Sequence, residues 1–449
     1  MAVLDGSIAN TALPTIASEL HATPAASVWV VNAFQLAVTM TILACASLGD
    51  SRGTSFVYRT GIVVFTVGSL LCAISKSLEF LIAARILQGV GAAGLMAVGP
   101  ALYRQIFPSS ELGKALGISA VIVATSAAAG PTIGGTILHF ARWEWLFAIN
   151  VPLGIFDAIF SLRALPSERG TGNRIDLTSI AMSAIAFGAI IYGIDGFARH
   201  ESSALIALEL GGGLVAGALF VRRQQRLPKP MLAIDLFTNP TFALASVTAN
   251  ATYVAQGLAF VSLPFFFQSA LGHSPFESGL LLTSWPLAVA LVAPLAGRLS
   301  DTYSAGILST VGLGVMVVGL VLYATLPAHP STLDIVLRGA ICGLGFGFFQ
   351  SPNNRELMGT APRSKISSAA GVLAAVRLSG QTIGAALVAI VFASLGSALA
   401  GSGASGLVRV ATPITLWIAV GFTALATIAS FIRLRAHQSQ RRATSVSES

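Results

Sequence analysis

Charge is what this chain has least of. Only 10% of its 449 residues are Asp, Glu, Lys or Arg, against about 25% in a soluble globular protein, so an ordinary water-soluble fold is excluded. Cysteine is nearly missing as well. Cys45, Cys72 and Cys342 each fall inside an apolar run, which predicts packed, reduced thiols and neither disulfide nor metal. The histidines, His139 among them, show no metal-ligand spacing. No nucleophile–base pair is visible, and Gly343-Leu-Gly345-Phe-Gly347 lacks the strand–helix unit of a nucleotide loop. An enzyme is therefore the least favoured class. No basic stretch precedes the first apolar run, so no cleavable signal peptide is expected.

What the chain has is apolar length. Hydrophobic residues make up 54% of it, the mean hydropathy is +0.80, and a membrane crossing takes about 20 such residues. Apolar runs bounded by Pro, Gly and charge lie near 2–18, 27–48, 59–75, 80–102, 115–139, 145–162, 177–197, 203–221, 241–270, 278–297, 306–326, 334–351, 367–397 and 411–432. The fold class expected is all-α integral membrane with fourteen transmembrane helices. Only four residues precede Asp5, so the first helix is expected to be truncated.

The net charge of +8 would suggest nucleic acid in a soluble protein; here its distribution reads as topology. Alternate connections hold Arg52 and Arg59; Arg104 and Lys114; Arg163, Arg169 and Arg174; Arg222, Arg223, Arg226 and Lys229; Arg298; Arg355, Arg363 and Lys365; and Arg433, Arg435, Arg441 and Arg442. The opposite side holds only Lys76, Arg142, Arg199 and Arg409. This bias predicts cytoplasmic termini, a plasma (bacterial inner) membrane setting and no nucleic-acid partner. The polar tail from Ala436 is expected to lack order.

Weak matches at an offset near 251 suggest a repeat: Leu48-Gly49-Asp50 with Leu299-Ser300-Asp301, Arg85 with Arg338, Gly130-Pro131-Thr132-Ile133-Gly134-Gly135 with Gly380-Gln381-Thr382-Ile383-Gly384-Ala385, and Asp5-Gly6 with Gln256-Gly257. Two six-helix halves related by an axis along the membrane normal would place a substrate site between them. The runs near 177–197 and 203–221 have no counterpart and read as an inserted pair. The expected domains are 1–165, a six-helix bundle; 166–230, two inserted helices; 231–435, a second bundle; and 436–449, a polar tail.

A carboxylate in a membrane helix costs about 2.5–3.5 kcal/mol on insertion scales, and ionisable residues retained there tend to mark a proton or substrate path. Asp5 is the first such candidate. Burial disfavours its charged form, so it can hold a proton or attract a cation, but not comfortably both. That competition is the simplest antiport mechanism, although an Asp capping a frayed helix end is the alternative. Arg85 is permanently charged and needs partners; it can bias the proton site or bond neighbouring backbone. Proton chemistry is expected in the first half, because Gln256, an amide, stands where the first copy has Asp5. Trp29, Asn32, Phe34, Gln35, Asn250, Tyr253, Gln256 and Arg377 are candidates to line a substrate cavity for bulky amphipathic ligands. Asp157, Asp195 and Glu209 rank lower, two of them lying in the inserted pair. Asp50, Arg52 and Arg59, with Arg298 and Asp301, could form ion-pair latches. Gly130, Pro131, Gly134 and Gly135 permit close helix packing and a bend, either as a seal or as ordinary packing.

These residues resemble the major facilitator superfamily, and within it the fourteen-helix drug:proton antiporters. Leu4-Asp5-Gly-Ser-Ile-Ala-Asn10-Thr-Ala-Leu13-Pro14 resembles that family's first-helix signature. Gly49-Asp50-Ser-Arg52-Gly53 with Arg59 resembles its loop signature, and Arg85-Ile-Leu-Gln88-Gly89-Val-Gly91 its helix-4 signature. Ser126-Ala-Ala-Ala-Gly130-Pro131-Thr-Ile-Gly134-Gly135 resembles the helix-5 antiporter signature, followed by Trp143-Glu-Trp145-Leu-Phe147-Ala-Ile149-Asn150-Val-Pro152. Thr54 and Ser55 stand where the loop signature has basic residues, and Ser126 replaces a glycine. Arg377 with no acid in the thirteenth helix argues against dication export. The resemblance implies a proton-coupled exporter of hydrophobic, cationic or amphipathic compounds such as drugs and antiseptics. Its working parts would be Asp5 and Arg85, and it would need no cofactor beyond the proton gradient. The partners expected are a small-molecule substrate, protons and lipid, with the chain a monomer. The alternatives are a facilitator or exporter of a small metabolite or organic anion, and a non-transporting receptor or scaffold.

Overall fold

The computed structural model describes residues 1–166, 176–197, 199, 201–227, 230–232, 234–362, 365–399 and 403–447. It leaves undescribed the side chains at 100, 104, 109, 110, 112–114, 116, 117, 120, 124, 301, 366–368, 397, 398 and 436–447. Every regular element among the described residues is helical. They are α1 (Ala2–Glu19), α2 (Pro24–Ser27), α3 (Trp29–Arg52), α4 (Thr54–Ala73), α5 (Leu78–Ile106), α6 (Ser109–Phe140), α7 (Trp145–Ala148) and α8 (Asn150–Ala164). After them come α9 (Leu177–Gly196), α10 (Ser203–Arg226), α11 (Pro240–Phe265), α12 (Pro275–Thr302), α13 (Ala305–Ala324), α14 (Thr332–Thr360), α15 (Ile366–Ala398) and α16 (Gly403–Ser447). A 3₁₀ turn, Ile234–Thr238, precedes α11, and a π-helical turn, Phe266–Ala270, follows it.

Each predicted run thus became a helix, the short α2 and α7 leading into α3 and α8. Among the described residues, twelve helices are long and apolar enough to cross a membrane. The remaining two long helices, α1 and α11, fall short because they carry the polar residues: Asp5 and Asn10 on one, Asn250 and Gln256 on the other. The bundle exterior is apolar, with Leu177, Leu208 and Leu291 more than 70% exposed, which suits lipid and not water. The tail departs from expectation. α16 continues as helix through Ser447, as its run of Arg, Gln and Ala permits.

The helices form two compact units. One comprises Met1–Met231, Phe260–Leu280 and Ala385–Ala411; the other Leu232–Ala259, Leu281–Gly384 and Thr412–Ser449. In the first, α1 packs on α6, α3 and α4 on α5, α4 on α8, and α9 on both α10 and α3. In the second, α13 packs on α14. Glycine makes these approaches possible. A Cβ on Gly380 would meet the Asn250 carbonyl at 2.7 Å, and one on Gly134 would meet the Ile8 carbonyl at 3.3 Å. The two copies of the repeated glycine motif therefore do the same work, α6 seating α1 in one unit and α15 seating α11 in the other.

Candidate functional site: a buried carboxylate in the first unit

Asp5 is carried by α1 and is 1% exposed. Its Oδ2 accepts from Arg85 Nη1 at 2.5 Å. Its Oδ1 accepts from Gln88 Nε2 at 2.9 Å and Asn150 Nδ2 at 2.7 Å. Arg85 and Gln88 share one face of α5, three residues apart, and Arg85 Nη1 also reaches Gln88 Oε1 at 2.6 Å. Gln88 Nε2 further donates to Ser69 Oγ of α4 at 2.8 Å. Asn150 opens α8, directly after the half-turn α7. Three helices, α1, α5 and α8, thus meet at one carboxylate, and α4 is tied in through Gln88.

Arg85 is fully buried. Its Nε donates to the Val30 carbonyl at 2.9 Å, and its guanidinium carbon lies 4.2 Å from the Phe34 ring centroid and 5.4 Å from that of Phe147. Burial of two charges is tolerable when their remaining hydrogen-bonding sites are met; three donors meet the carboxylate here, while Arg85 Nη2 is buried without a hydrogen-bond partner. These donors take three of the roughly four acceptor sites that a carboxylate offers. Nearby, Asn32 on α3 is fully buried with neither amide atom hydrogen-bonded, a costly condition for a polar group.

The other predicted cavity residues divide between the units. Trp29 donates from Nε1 to Asp195 Oδ1 at 2.9 Å, and Gln35 is half-buried on α3. In the second unit Asn250 donates to the Val376 carbonyl and Ser379 Oγ, both at 3.1 Å. Gln256 accepts from Gln381 at 3.1 Å, and the Tyr253 hydroxyl accepts from Gln350 at 3.1 Å. These residues form one polar seam along α11, α14 and α15, with Arg377 half-buried on α15.

Family comparison agrees with this geometry. The model for the Major Facilitator Superfamily matches residues 1–385 and 245–448. The chain belongs to that superfamily. The uncharacterized transporter YebQ of Escherichia coli (strain K12) is 50% identical over 88% of this chain and 87% of its own. The riboflavin transporter RibZ of Clostridioides difficile (strain 630) is 33% identical over 88% and 86%. The multidrug resistance protein Stp of Mycobacterium tuberculosis is 31% identical over 89% and 74%, a likeness that supports grouping with the drug:proton antiporter family. Among solved structures, a bacterial homologue of the human lysosomal transporter Spinster, inward-facing and unoccupied, shares the fold with a TM-score of 0.69 at 15% identity, over 97% of this chain and 95% of that one. This protein is therefore a multi-pass membrane transporter.

The transporter's latch candidates are placed as follows. Asp50, Arg52 and Arg298 are exposed, and the Asp301 side chain lies outside the described residues. Arg59 donates to the Ser161 carbonyl at 3.2 Å and the Leu165 carbonyl at 3.0 Å, capping the carboxyl end of α8 as a cation should. Asp157, ranked low in the sequence, accepts from the Tyr58 hydroxyl at 2.9 Å and ties α8 to α4. Gly130 leaves room for Ser7, and Gly135 leaves room for α12, where a Cβ would meet the Pro275 carbonyl at 2.6 Å. At the same end of the first unit Gln268 donates to the Thr11 carbonyl at 2.9 Å.

Sequence reasoning missed Gln88, Asn150 and Ser69 as site residues; two stand inside the quoted signatures, and their amides were the available signal. It also read Arg433 as a topology charge. That residue is 1% exposed and donates to Asn353 Oδ1 at 2.7 Å, with Glu356 3.3 Å away, an ion pair between α16 and α14. Outside the spans, Asp176 caps α9. Hydrogen bonds from Arg223, foremost, and from Ser179 hold its carboxyl down at about 2.

Proposed function

We propose that this transporter is a proton-coupled antiporter exporting hydrophobic, cationic or amphipathic compounds by alternating access. The observation that carries the reading is the buried Asp5, whose carboxyl accepts from Arg85, Gln88 and Asn150. Taking up a proton removes the attraction to Arg85 and frees a guanidinium to find new partners. Losing the proton restores the pairing with Arg85. A two-state contact of this kind is what couples proton movement to a rearrangement of rigid halves. The unpaired amide of Asn32 is a ready partner for a substrate hydroxyl or amine. The multidrug resistance relative supports drug-like substrates. In this reading the protein is a monomer with both termini cytoplasmic, in a bacterial inner membrane, built as six helices, two inserted and six more, and requires no cofactor.

The experiment is efflux of a lipophilic cationic dye from cells under an imposed pH gradient. Gradient-dependent efflux lost in Asp5→Asn at unchanged membrane level is the expected result; efflux that survives the substitution overturns it. A second reading has one specific support, the riboflavin transporter among the relatives: export of a planar, hydrogen-bonding metabolite. Gradient-driven riboflavin counterflow in the same cells, with no dye efflux, would select it.

A further inference from the structure

The inserted helices α9 and α10 have no counterpart in the repeat, and the Asp5 cluster does not use them. Within the first unit a cavity of about 650 Å³ opens where α2 and the start of α3, the end of α9, the end of α15 and the start of α16 meet. That size suits a drug-sized ligand, for which about 300–1,000 Å³ is usual. Pro24, Phe392 and Leu407 are among its apolar walls, and Trp29, Asp195 and Arg199 make one polar corner.

The corner is asymmetric. Asp195 is 1% exposed, with Oδ1 held by Trp29 and Oδ2 by Arg199 Nε at 3.0 Å. Arg199 is 31% exposed and has other partners: Glu201, the Tyr192 hydroxyl at 2.6 Å, and the Tyr192 ring 3.7 Å beneath it. It can leave Asp195 and keep those contacts. Asp195, once left, needs a positive replacement, because a buried carboxylate without a counter-charge is strongly disfavoured. The surroundings add two more carboxyl groups. Oε2 of Glu201 and Oε2 of Glu209 are both buried and without a hydrogen-bond donor, and both lie beside Gly196, the residue next to Asp195.

We propose that this cavity is a ligand site for a bulky hydrophobic cation, whose charge replaces Arg199 on Asp195 while its apolar body lies against Phe392 and Leu407. The inserted pair would then supply a binding carboxylate of its own, at the end of the bundle whose connections are poor in basic residues. The inference shares only its ligand class with the proposed function.

The test is equilibrium binding of tritiated tetraphenylphosphonium to the full chain in lipid nanodiscs, with no gradient applied. Asp195→Asn keeps an acceptor for Trp29 and should weaken binding about tenfold, as loss of one charge-assisted contact does. Ala404→Trp, which fills the cavity, should abolish the Asp195-dependent binding. Independent of any variant, a photoreactive azide of the same phosphonium should label peptides containing Phe392 or Leu407 in the wild type. Unchanged affinity in Asp195→Asn, labelling confined to other helices, or equal protection by neutral triphenylphosphine oxide would each overturn the site. Because binding is read without a gradient, loss of antiport alone leaves this site standing, and loss of this site leaves the Asp5 reading untouched.

Discussion

At the scale of single residues, the ion pair between Asp5 and Arg85 is the feature most open to test. Arg85→Met leaves the carboxylate buried without its counter-charge, which costs about 3–5 kcal/mol, so the variant should melt well below the wild type in detergent. Adding Asp5→Asn to it removes the stranded charge, and the double variant should regain most of that stability while remaining inactive in efflux. Asn150→Ala removes one of two donors to Oδ1, and a loss of about 1–3 kcal/mol is expected from a hydrogen bond to a charged group, read by the same melt. Asp5 and Arg85 were legible in the sequence because a charge inside an apolar run has few explanations. Gln88 and Asn150 were not, because amides are common in helices and these stand 83 and 145 residues from Asp5. No pattern within a single helix joins them.

Among elements, helix-to-helix contact depends on absent side chains. Gly384→Val would drive a side chain into α11, where a Cβ already comes within 2.8 Å of the Leu258 amide nitrogen. Overpacking of this kind costs about 1–3 kcal/mol, and reduced folded yield on size exclusion is the expected outcome. The pair α9 and α10 is clamped at the end opposite its cavity by Asp176 and Arg223, 2.9 Å apart. The Asp176 carboxyl is held down at about 2, below its ordinary value near 4. The sign follows: the clamp contributes fully above about pH 4 and is lost as pH falls through 2. The difference in melting temperature between wild type and Asp176→Asn should therefore be present at pH 6 and shrink toward zero at pH 2. Helix positions were readable from hydropathy; which helices touch was readable only where the glycine motif repeats.

Over the whole molecule, α1 and α11 decide whether the chain crosses the membrane twelve or fourteen times. If α1 crosses, His21 and Gly272 lie on the side poor in basic residues, and His21→Cys in a cysteine-free background should react with an impermeant maleimide added outside intact cells. Labelling only after permeabilisation would mean that α1 does not cross. The sequence by itself determined the class of the protein, its helices and its two charged protagonists, because burying a helix or a charge in lipid carries so large a free-energy penalty that composition must reveal it. Tertiary structure alone decided that Asp5 meets three donors, that Trp29 turns to Asp195 in α9, and that Arg433 is buried against Asn353. Those outcomes depend on neutral amides, backbone carbonyls and the spaces left by glycine, groups whose free energies are settled by distances between helices and leave no mark along the chain.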